Sequence, residues 1–324
     1  MHAFQNDSKA VILTYYRIGE PQHQRTNISI EQFDEHLNEI TNGDYNILPL
    51  SKVVTALKNS EPLPPRTIAI TFENAYRSAY NHAIKKLIKR DIPFTVFVAS
   101  ENTQIPSHLD WKTLNKIAKF KHAEFGILPS TYKHIAYLSK QDTTRSINKS
   151  RKRFNDNMGF ETNIFSYPYG ETSNTLLEIL EEQDFKAAFS LHSGPAHSQT
   201  SPLQYPRFTM TGHYADIDRF RMITNTLPLT IRDVEPDNWM LKEPLKQIGF
   251  TVSKNLEENL NALSCFISNQ EKPIIEIIEN RVEIIPREAI TDSKTRLNCT
   301  MPSHINSDNK EQWHWLGMLF HSQN

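Results

Sequence analysis

The sequence contains no run of about 18 consecutive apolar residues, so it predicts no membrane-spanning helix. Glycine is scarce, with nine residues in 324, whereas eighteen prolines indicate an ordered chain with many fixed turns. An excess of charge of one sign is also lacking. Because 36 basic and 37 acidic side chains leave a net charge of -1, the composition predicts no nucleic-acid partner.

Cysteine is scarce as well, and the thirteen histidines form no tight cluster with the two cysteines that would indicate a zinc site. Cys265 and Cys299 both lie in β-like segments of the final third of the chain. We predict that their Cα atoms lie within bonding range, roughly 4.4 to 6.8 Å. A disulfide would persist only in an oxidising compartment, and two buried free thiols are the alternative.

The first residues, Met1 to Asp7, are polar and lack the apolar core of a signal peptide. Taken alone, they predict a cytoplasmic protein. His2-Ala3 could instead be the remnant of a small-residue cleavage site. In that case a signal peptide has been removed, and the protein is expected to be periplasmic or secreted.

From Ala10 to about Met210, short apolar runs alternate with helical patterns, which predicts a mostly parallel sheet, either doubly wound or closed into a barrel. After residue 225 the pattern changes. Pro228, Pro236 and Pro244 mark a connector, and the remaining segments read as strands. The chain is therefore predicted to divide into an α/β domain, residues 1–235, and a small all-β accessory domain, residues 236–324.

The most informative segment is residues 67–80. The β-rich run Thr67 to Phe72 ends in Glu73-Asn74, and an amphipathic helix begins at Ser78. A carboxylate that follows a strand and precedes a helix lies where α/β folds place their chemistry. The segment resembles the first motif of the polysaccharide deacetylases (carbohydrate esterase family four), Thr-Phe-Asp-Asp-Gly-Tyr. In that family the first aspartate is the general base and the second is a metal ligand. Those positions hold Glu73 and Asn74 here.

Other segments extend this resemblance over most of residues 10–226. Leu13 to Gly19 resembles the opening strand of the family, with Tyr16 where histidine is usual. Phe165 to Glu171 resembles the third motif, which implies that the backbone N–H of Tyr169 helps form an oxyanion hole. Residues 185–194 resemble a late strand of one bacterial branch. The resemblance implies that this part of the chain is a distorted (β/α) barrel.

The second motif of the family, His-Ser/Thr-x-x-His, supplies two more ligands to a divalent metal such as zinc. The corresponding residues here are Leu128 and Tyr132. Leucine cannot bind a metal, tyrosine with a pKa of about 10 is a poor ligand at neutral pH, and Asn74 carries no charge. The sequence therefore predicts that the metal ligands are replaced and that no metal cofactor is tightly bound.

Aromatic side chains near these motifs suit a sugar ring, and we predict that Tyr16, Tyr132, His134 and Tyr167 contact a glycan. His134 lies two residues after Tyr132 and is alternatively an ordinary loop histidine. The late catalytic histidine of the family has only a loose counterpart in His192. Trp313-His314-Trp315 could form a sugar platform, although such residues more often fill a small β core.

Three functions remain open at this stage. The motifs favour a deacetylase-like protein that binds an N-acetylated polysaccharide or oligosaccharide but has lost the hydrolytic site. The alternative is an active deacetylase that hydrolyses the C–N bond of N-acetylated carbohydrate, with Glu73 as base and the Tyr169 amide as oxyanion donor. Glu73 could also have a structural role, for example by pairing with Arg77. The third function is an interaction protein that docks through the C-terminal β domain. The sequence predicts no particular oligomeric state.

Overall fold

The computed structural model of the chain describes residues 8–303 and 312–323. The strands are β1 (Lys9–Tyr15), β2 (Arg17–Ile18), β3 (Asn27–Ile28), β4 (Asn46–Ile47), β5 (Thr67–Phe72), β6 (Phe94–Val98), β7 (Ala123–Ile127), β8 (Ile164–Ser166), β9 (Ala187–Phe189), β10 (Ala196–His197), β11 (Phe208–Thr209), β12 (Leu227–Pro228), β13 (Ile231–Glu235), β14 (Ile248–Val252), β15 (Ser264–Ile267), β16 (Ile274–Ile278), β17 (Arg281–Ile285), β18 (Lys294–Pro302) and β19 (Trp313–His321). The helices are α1 (Ile30–Asn42), α2 (Leu50–Lys58), α3 (Arg77–Ala79), α4 (Lys85–Lys89), α5 (Trp111–Ile117), α6 (Lys140–Met158), α7 (Asn174–Glu182) and α8 (Ile217–Ile223). A π-helical turn, Tyr80–Ile84, joins α3 to α4.

The first part of the chain forms one large sheet with the strand order β10-β1-β5-β6-β7-β8-β9, to which β11 adds at β1 and β4 adds at β5. The pairings in this sheet are parallel, except that β10 runs antiparallel to β1. Helices connect the parallel strands and bury their apolar faces against the sheet. This architecture is the expected distorted (β/α) barrel.

The helix boundaries follow from capping and from apolar spacing. Ser29 accepts a hydrogen bond from Gln32 N (3.1 Å) and donates its own N–H to Gln32 Oε1 (3.0 Å), a capping box that starts α1. Helix α6 begins after Ser139, whose side chain accepts a hydrogen bond from Asp142 N. It ends at Gly159, whose φ of 77° lies in the left-handed region that favours glycine.

The last part of the chain forms two four-stranded sheets, β12-β19-β18-β15 and β13-β14-β17-β16, which bury one shared apolar core. We call this unit the sandwich. Cys265 and Cys299 face each other on β15 and β18 and form a disulfide. Their Cα–Cα distance is 4.1 Å, slightly below the expected range. Strands β16 and β17 form an antiparallel hairpin around Glu279.

Part of the predicted connector is β-structure. Pro228 ends β12, which pairs with β19, and residues 231–235 form β13, which pairs with β14. These strands therefore pair within the sandwich although they lie before residue 236. The division into residues 1–235 and 236–324 stays a prediction. Among the residues described, no helix is long and apolar enough to cross a membrane.

The sandwich packs against the barrel through the outer face of β19. The Trp315 ring meets the Phe208 ring edge-on at a centroid distance of 5.4 Å, and Trp315 Nε1 donates to Ser193 Oγ (3.0 Å). Trp315 therefore fills the junction between the two units, which supports the packing interpretation of this tryptophan over a sugar platform.

Candidate active site

The turn after β5 places two polar side chains at the carboxyl edge of the sheet. Strand β5 is fully buried between β1 and β6, and Glu73 N donates to Tyr15 O (2.8 Å). Asn74 and Ala75 then adopt φ angles of 60° and 45°, a left-handed conformation that non-glycine residues rarely take. Helix α3 begins at Arg77, so the strand, turn and helix arrangement agrees with the motif.

The Glu73 carboxylate lies in a closed network. Ser166 Oγ lies 2.7 and 2.9 Å from its two oxygens, and Arg207 Nη1 donates to Oε2 at 2.8 Å. Arg207 also donates from Nη2 to Ser166 Oγ (2.7 Å) and from Nε to Ser190 O (3.0 Å). Glu73 and Arg207 are both 0% exposed. The carboxylate is therefore neutralised and shielded from solvent by the protein itself.

This pairing differs from the partner considered for Glu73 from the sequence. Arg77 instead donates to the backbone oxygens of Pro106 (2.9 Å) and His108 (2.8 Å), and it lies 3.9 Å from Asp110. Arg77 thus fixes the loop after β6. Glu73 is instead bound by Ser166, on β8, and by Arg207, which directly precedes β11.

Asn74 lies in a second polar network. Its Oδ1 accepts a hydrogen bond from Asn102 Nδ2 (2.9 Å), and its Nδ2 donates to Tyr76 Oη (3.2 Å) and lies 3.2 Å from His108 Nε2. Burial lowers the pKa of His108 to about 4, so this imidazole is neutral at neutral pH and can accept the hydrogen bond. Both polar atoms of the Asn74 amide are therefore engaged within the protein.

The remaining positions of the motif are also closed. Leu128 is fully buried in an apolar cluster with Phe97 and Phe189. The Tyr132 hydroxyl accepts a hydrogen bond from Tyr169 N–H (3.2 Å), the backbone amide that the family resemblance assigns to the oxyanion hole. Burial, and then the nearby Tyr16 and Glu73, raise the pKa of Tyr132 well above its ordinary value, so its hydroxyl stays protonated.

These residues do not fit a divalent metal. The Asn74 amide is satisfied, Leu128 has no donor atom, and Tyr132 is a neutral phenol that faces an N–H group. Within residues 8–303 and 312–323, no group of three or more His, Cys, Asp and Glu side chains is placed to hold a metal ion. The expectation that no metal is tightly bound stays a prediction.

Aromatic and aliphatic side chains fill the space beside these networks. Tyr16, Tyr76 and Leu191 from the barrel are buried in one cluster with Leu319 from β19, and half-buried Tyr132 packs against it. Burial, and then the Glu73 carboxylate, raise the pKa of Tyr16. We call the barrel part of this cluster, Tyr16, Tyr76, Tyr132 and Leu191, the aromatic pocket. Leu319 closes it.

His134 and Tyr169 lie at the rim of the site. His134 Nδ1 is 2.9 Å from both oxygens of buried Glu171, and its ring stacks on Tyr169 at 4.0 Å with 9° between the planes. The His134 side chain is 55% exposed. Its imidazole is thus engaged by the Glu171 carboxylate and the Tyr169 ring at the rim of the site.

The structure brings most of the predicted site residues together. The contacts above form a chain at the carboxyl edge of the sheet that links five of them: Glu73, Asn74, Tyr132, Tyr169 and His134. Tyr167 is different, because it is fully buried and its hydroxyl donates to Leu203 O (2.7 Å). In this structure the Tyr167 side chain has no accessible surface with which to make the predicted glycan contact.

His192 also lies away from solvent. It is buried edge-on against the Trp239 ring of the sandwich, with a centroid distance of 4.9 Å, and burial lowers its pKa to about 3. Its Nδ1 has no hydrogen-bond partner among the residues described. This environment provides no proton relay to the Glu73 network.

Sequence reasoning missed three residues of the site. Arg207 lies 134 positions after Glu73, His108 lies in the loop after β6, and Leu319 comes from the last strand. None belongs to a segment matched to the family motifs. Long-range packing alone identifies them.

An open cavity of about 600 Å³ lies at the opposite, amino end of the barrel strands. Its lining includes Glu124 at the start of β7, Ile164 at the start of β8, Arg151 from α6, Phe160 and Lys186. This cavity shares no residue with the aromatic pocket.

Known proteins resemble this chain in sequence and in fold. The family described as polysaccharide deacetylase matches residues 60–188. The chain is 22% identical over 194 residues to a putative polysaccharide deacetylase, YxkH, of Bacillus subtilis, covering 59% of this chain and 68% of that protein. It is 23% identical over 214 residues to poly-beta-1,6-N-acetyl-D-glucosamine N-deacetylase of Staphylococcus aureus, covering 61% and 72%.

Solved structures share the barrel fold. The deacetylase PplD of Streptococcus pyogenes aligns with a TM-score of 0.61 at 20% identity, covering 67% of this chain and 98% of its own. IcaB from Ammonifex degensii aligns with a TM-score of 0.60 at 21% identity, covering 67% and 97%. Both chains are matched almost whole, so about a third of the present chain is additional to them.

Proposed function

Since the chain belongs to the polysaccharide deacetylase family, we propose that it is a member without hydrolytic activity that binds an N-acetylated polysaccharide or oligosaccharide. The state of Glu73 is the observation that carries the first half of this proposal. A general base must be within hydrogen-bonding reach of a water molecule or substrate. The Glu73 carboxylate is 0% exposed, and Ser166 and Arg207 already donate to it.

The oxyanion site supports the same conclusion. Stabilisation of a tetrahedral oxyanion needs a free donor aimed at the developing charge. The Tyr169 N–H already donates to the Tyr132 hydroxyl, and among the residues that the structure describes no ligand set for a Lewis-acidic metal surrounds it. Base and oxyanion donor are therefore both engaged in internal hydrogen bonds.

Two observations support the glycan half of the proposal. The Staphylococcus aureus relative is named for its action on poly-beta-1,6-N-acetyl-D-glucosamine, which makes an N-acetylated polysaccharide the first ligand class to test. The rim also presents the stacked rings of His134 and Tyr169, a flat face of the kind that packs on sugar rings. Tyr16 and Tyr132 lie behind this rim in the aromatic pocket.

An active deacetylase remains the competing function. It would require Glu73 to leave Arg207 and reach a water molecule, and the described contacts provide no such path. Incubation with zinc and a β-1,6-linked N-acetylglucosamine oligomer, followed by assay of released acetate, distinguishes the two. We expect no release above the buffer control. Release that Glu73→Gln abolishes, in a variant with an unchanged circular dichroism spectrum, would overturn the proposal.

Glycan binding needs its own measurement. Isothermal titration calorimetry with the same oligomer should detect binding, and His134→Ala should weaken it because half of the stacked rim pair is removed. Lys186→Ala, at the far end of the barrel, is the matched control and should bind like the parent. No binding by the parent protein at millimolar oligomer would contradict the glycan half.

We further propose that the protein acts in an oxidising location, periplasmic or outside the cell. The Cys265–Cys299 disulfide supports this, because such bonds are reduced in the cytosol of most organisms. Thiol titration of native protein purified without reductant should find no free thiol. Two titrating thiols would count against export.

A further inference from the structure

We propose that the sandwich is an autoinhibitory cap, which closes the aromatic pocket and must be displaced before a glycan enters that pocket. The inference rests on the proposed glycan binding and adds its regulation. The barrel neighbours described above are matched almost whole but cover only 67% of this chain, so about a third of it is additional to the fold that they share.

Leu319 is the central residue of the closure. It projects from β19, is 0% exposed, and packs in one cluster with Tyr16, Tyr76 and Leu191. Barrel folds bind their ligands at the carboxyl end of the strands. A side chain from the sandwich thus takes the place of a ligand among the tyrosines of the barrel.

Polar contacts surround this apolar centre. Lys294 Nζ donates to Tyr169 O (2.6 Å), His321 Nε2 lies 2.7 Å from Thr172 O, and Tyr137 Oη donates to Ser322 O (2.9 Å). These groups join the sandwich to the same loops that carry the rim residues. Two units of one chain that meet through partly polar contacts can move relative to each other more readily than units joined by a large apolar interface.

Gly317 provides a specific way to separate the two units. A Cβ atom added there would overlap Ser193 O and lie only 2.7 Å from Ser193 N, so strand β19 rests directly on the barrel backbone. The φ angle of Gly317 is outside the left-handed region, and the residue pairs with Asn298 in a regular ladder. Alanine should therefore suit the sheet itself and disturb only the contact with the barrel.

Gly317→Ala in the full chain tests the cap by two independent readouts. The first is nitration of Tyr16 and Tyr76 by tetranitromethane, mapped by mass spectrometry. The second is the affinity for a β-1,6-linked N-acetylglucosamine oligomer. We expect faster nitration of both tyrosines and affinity about tenfold tighter, because the ligand no longer competes with Leu319. Ile278→Thr, at a 72% exposed position on β16, is the matched control and should match the parent in both.

The outcomes separate the cap from the proposed function. Equal nitration and equal affinity in the parent and in Gly317→Ala would overturn the cap. Faster nitration without glycan binding in any protein would support closure by the sandwich and overturn glycan binding. If Gly317→Ala fails to fold, Leu319→Ala removes the closing side chain without adding a contact, and it should raise nitration and affinity in the same direction. Failure of both readouts in a folded Leu319→Ala protein would likewise reject the cap.

Discussion

The two ends of the barrel are built on the same strands, yet their interiors differ. At the carboxyl end, a buried ion pair, an amide network and a tyrosine cluster fill the space, and Leu319 covers it. At the amino end, a cavity of about 600 Å³ is open between β7, β8 and α6. Barrel enzymes place their sites at the carboxyl end and leave the other end to stability. Here the open cavity lies at the end opposite to the one where barrel enzymes place their sites.

The cations at the two ends show the same contrast. Arg207 is fully buried and donates to Glu73, Ser166 and Ser190, whereas Lys186 is exposed at the amino-end cavity. Changes at the carboxyl end should therefore have large effects on stability, and changes at the amino end should have small ones.

The largest effect is expected from Arg207→Met. The substitution leaves Glu73 buried without its counter-charge, which should cost about 3 to 5 kcal/mol of unfolding free energy. Urea denaturation followed by fluorescence measures it. The double variant Glu73→Gln/Arg207→Met should recover part of the loss, because no isolated charge remains. A loss below about 1 kcal/mol for Arg207→Met would show that Glu73 does not depend on this partner.

A pH-dependent effect comes next. Burial lowers the pKa of His192 to about 3, below the unfolded value of about 6.5, so the unfolded chain binds the proton more tightly. Stability is therefore complete above pH 6.5 and falls as the pH drops towards 3, by about 1.4 kcal/mol per pH unit for this group. His36 and His197, with pKa values lowered to about 4 by burial, should add to the loss.

His192→Gln removes one of these groups and should flatten the dependence of the urea midpoint on pH between 6.5 and 4. His213→Gln, at an exposed position, is the control and should leave the slope unchanged. An identical slope in His192→Gln and the parent would indicate that folding does not lower the pKa of His192.

The smallest effect is expected at the open end. Lys186→Ala should change the unfolding free energy by no more than about 0.5 kcal/mol, because an exposed side chain loses little on truncation. The same urea experiment provides the value. A loss comparable with that of Arg207→Met would remove the contrast between the two ends.

Local patterns predicted much of the fold. The alternation of apolar runs and helical patterns up to about residue 210 predicted the strands and helices of the barrel, and the change of pattern after residue 225 predicted the strands of the sandwich. Strand β13 was missed because prolines at 228 and 236 suggested a connector, whereas its backbone finds partners on β14. Pairing with β14 in the folded protein, and not local propensity, determines that this segment is a strand.

The site was only partly predictable. The strand and turn motif located Glu73 and Asn74, and the second motif located Tyr132. Their partners are distant in sequence: Arg207 lies 134 positions beyond Glu73, and Leu319 belongs to another unit. The sequence alone showed that Asn74, Leu128 and Tyr132 differ from the metal ligands of the family. It could not show that the Tyr132 hydroxyl accepts a hydrogen bond from the Tyr169 amide.

Zinc titration tests the central claim most directly. The parent protein is compared by calorimetry with the triple variant Asn74→Asp, Leu128→His, Tyr132→His, which restores an anionic ligand and two imidazoles in the same frame. We expect no sub-micromolar site in the parent and a new site of higher affinity in the triple variant. Stoichiometric sub-micromolar zinc binding by the parent, lost on Asn74→Leu, would contradict the account.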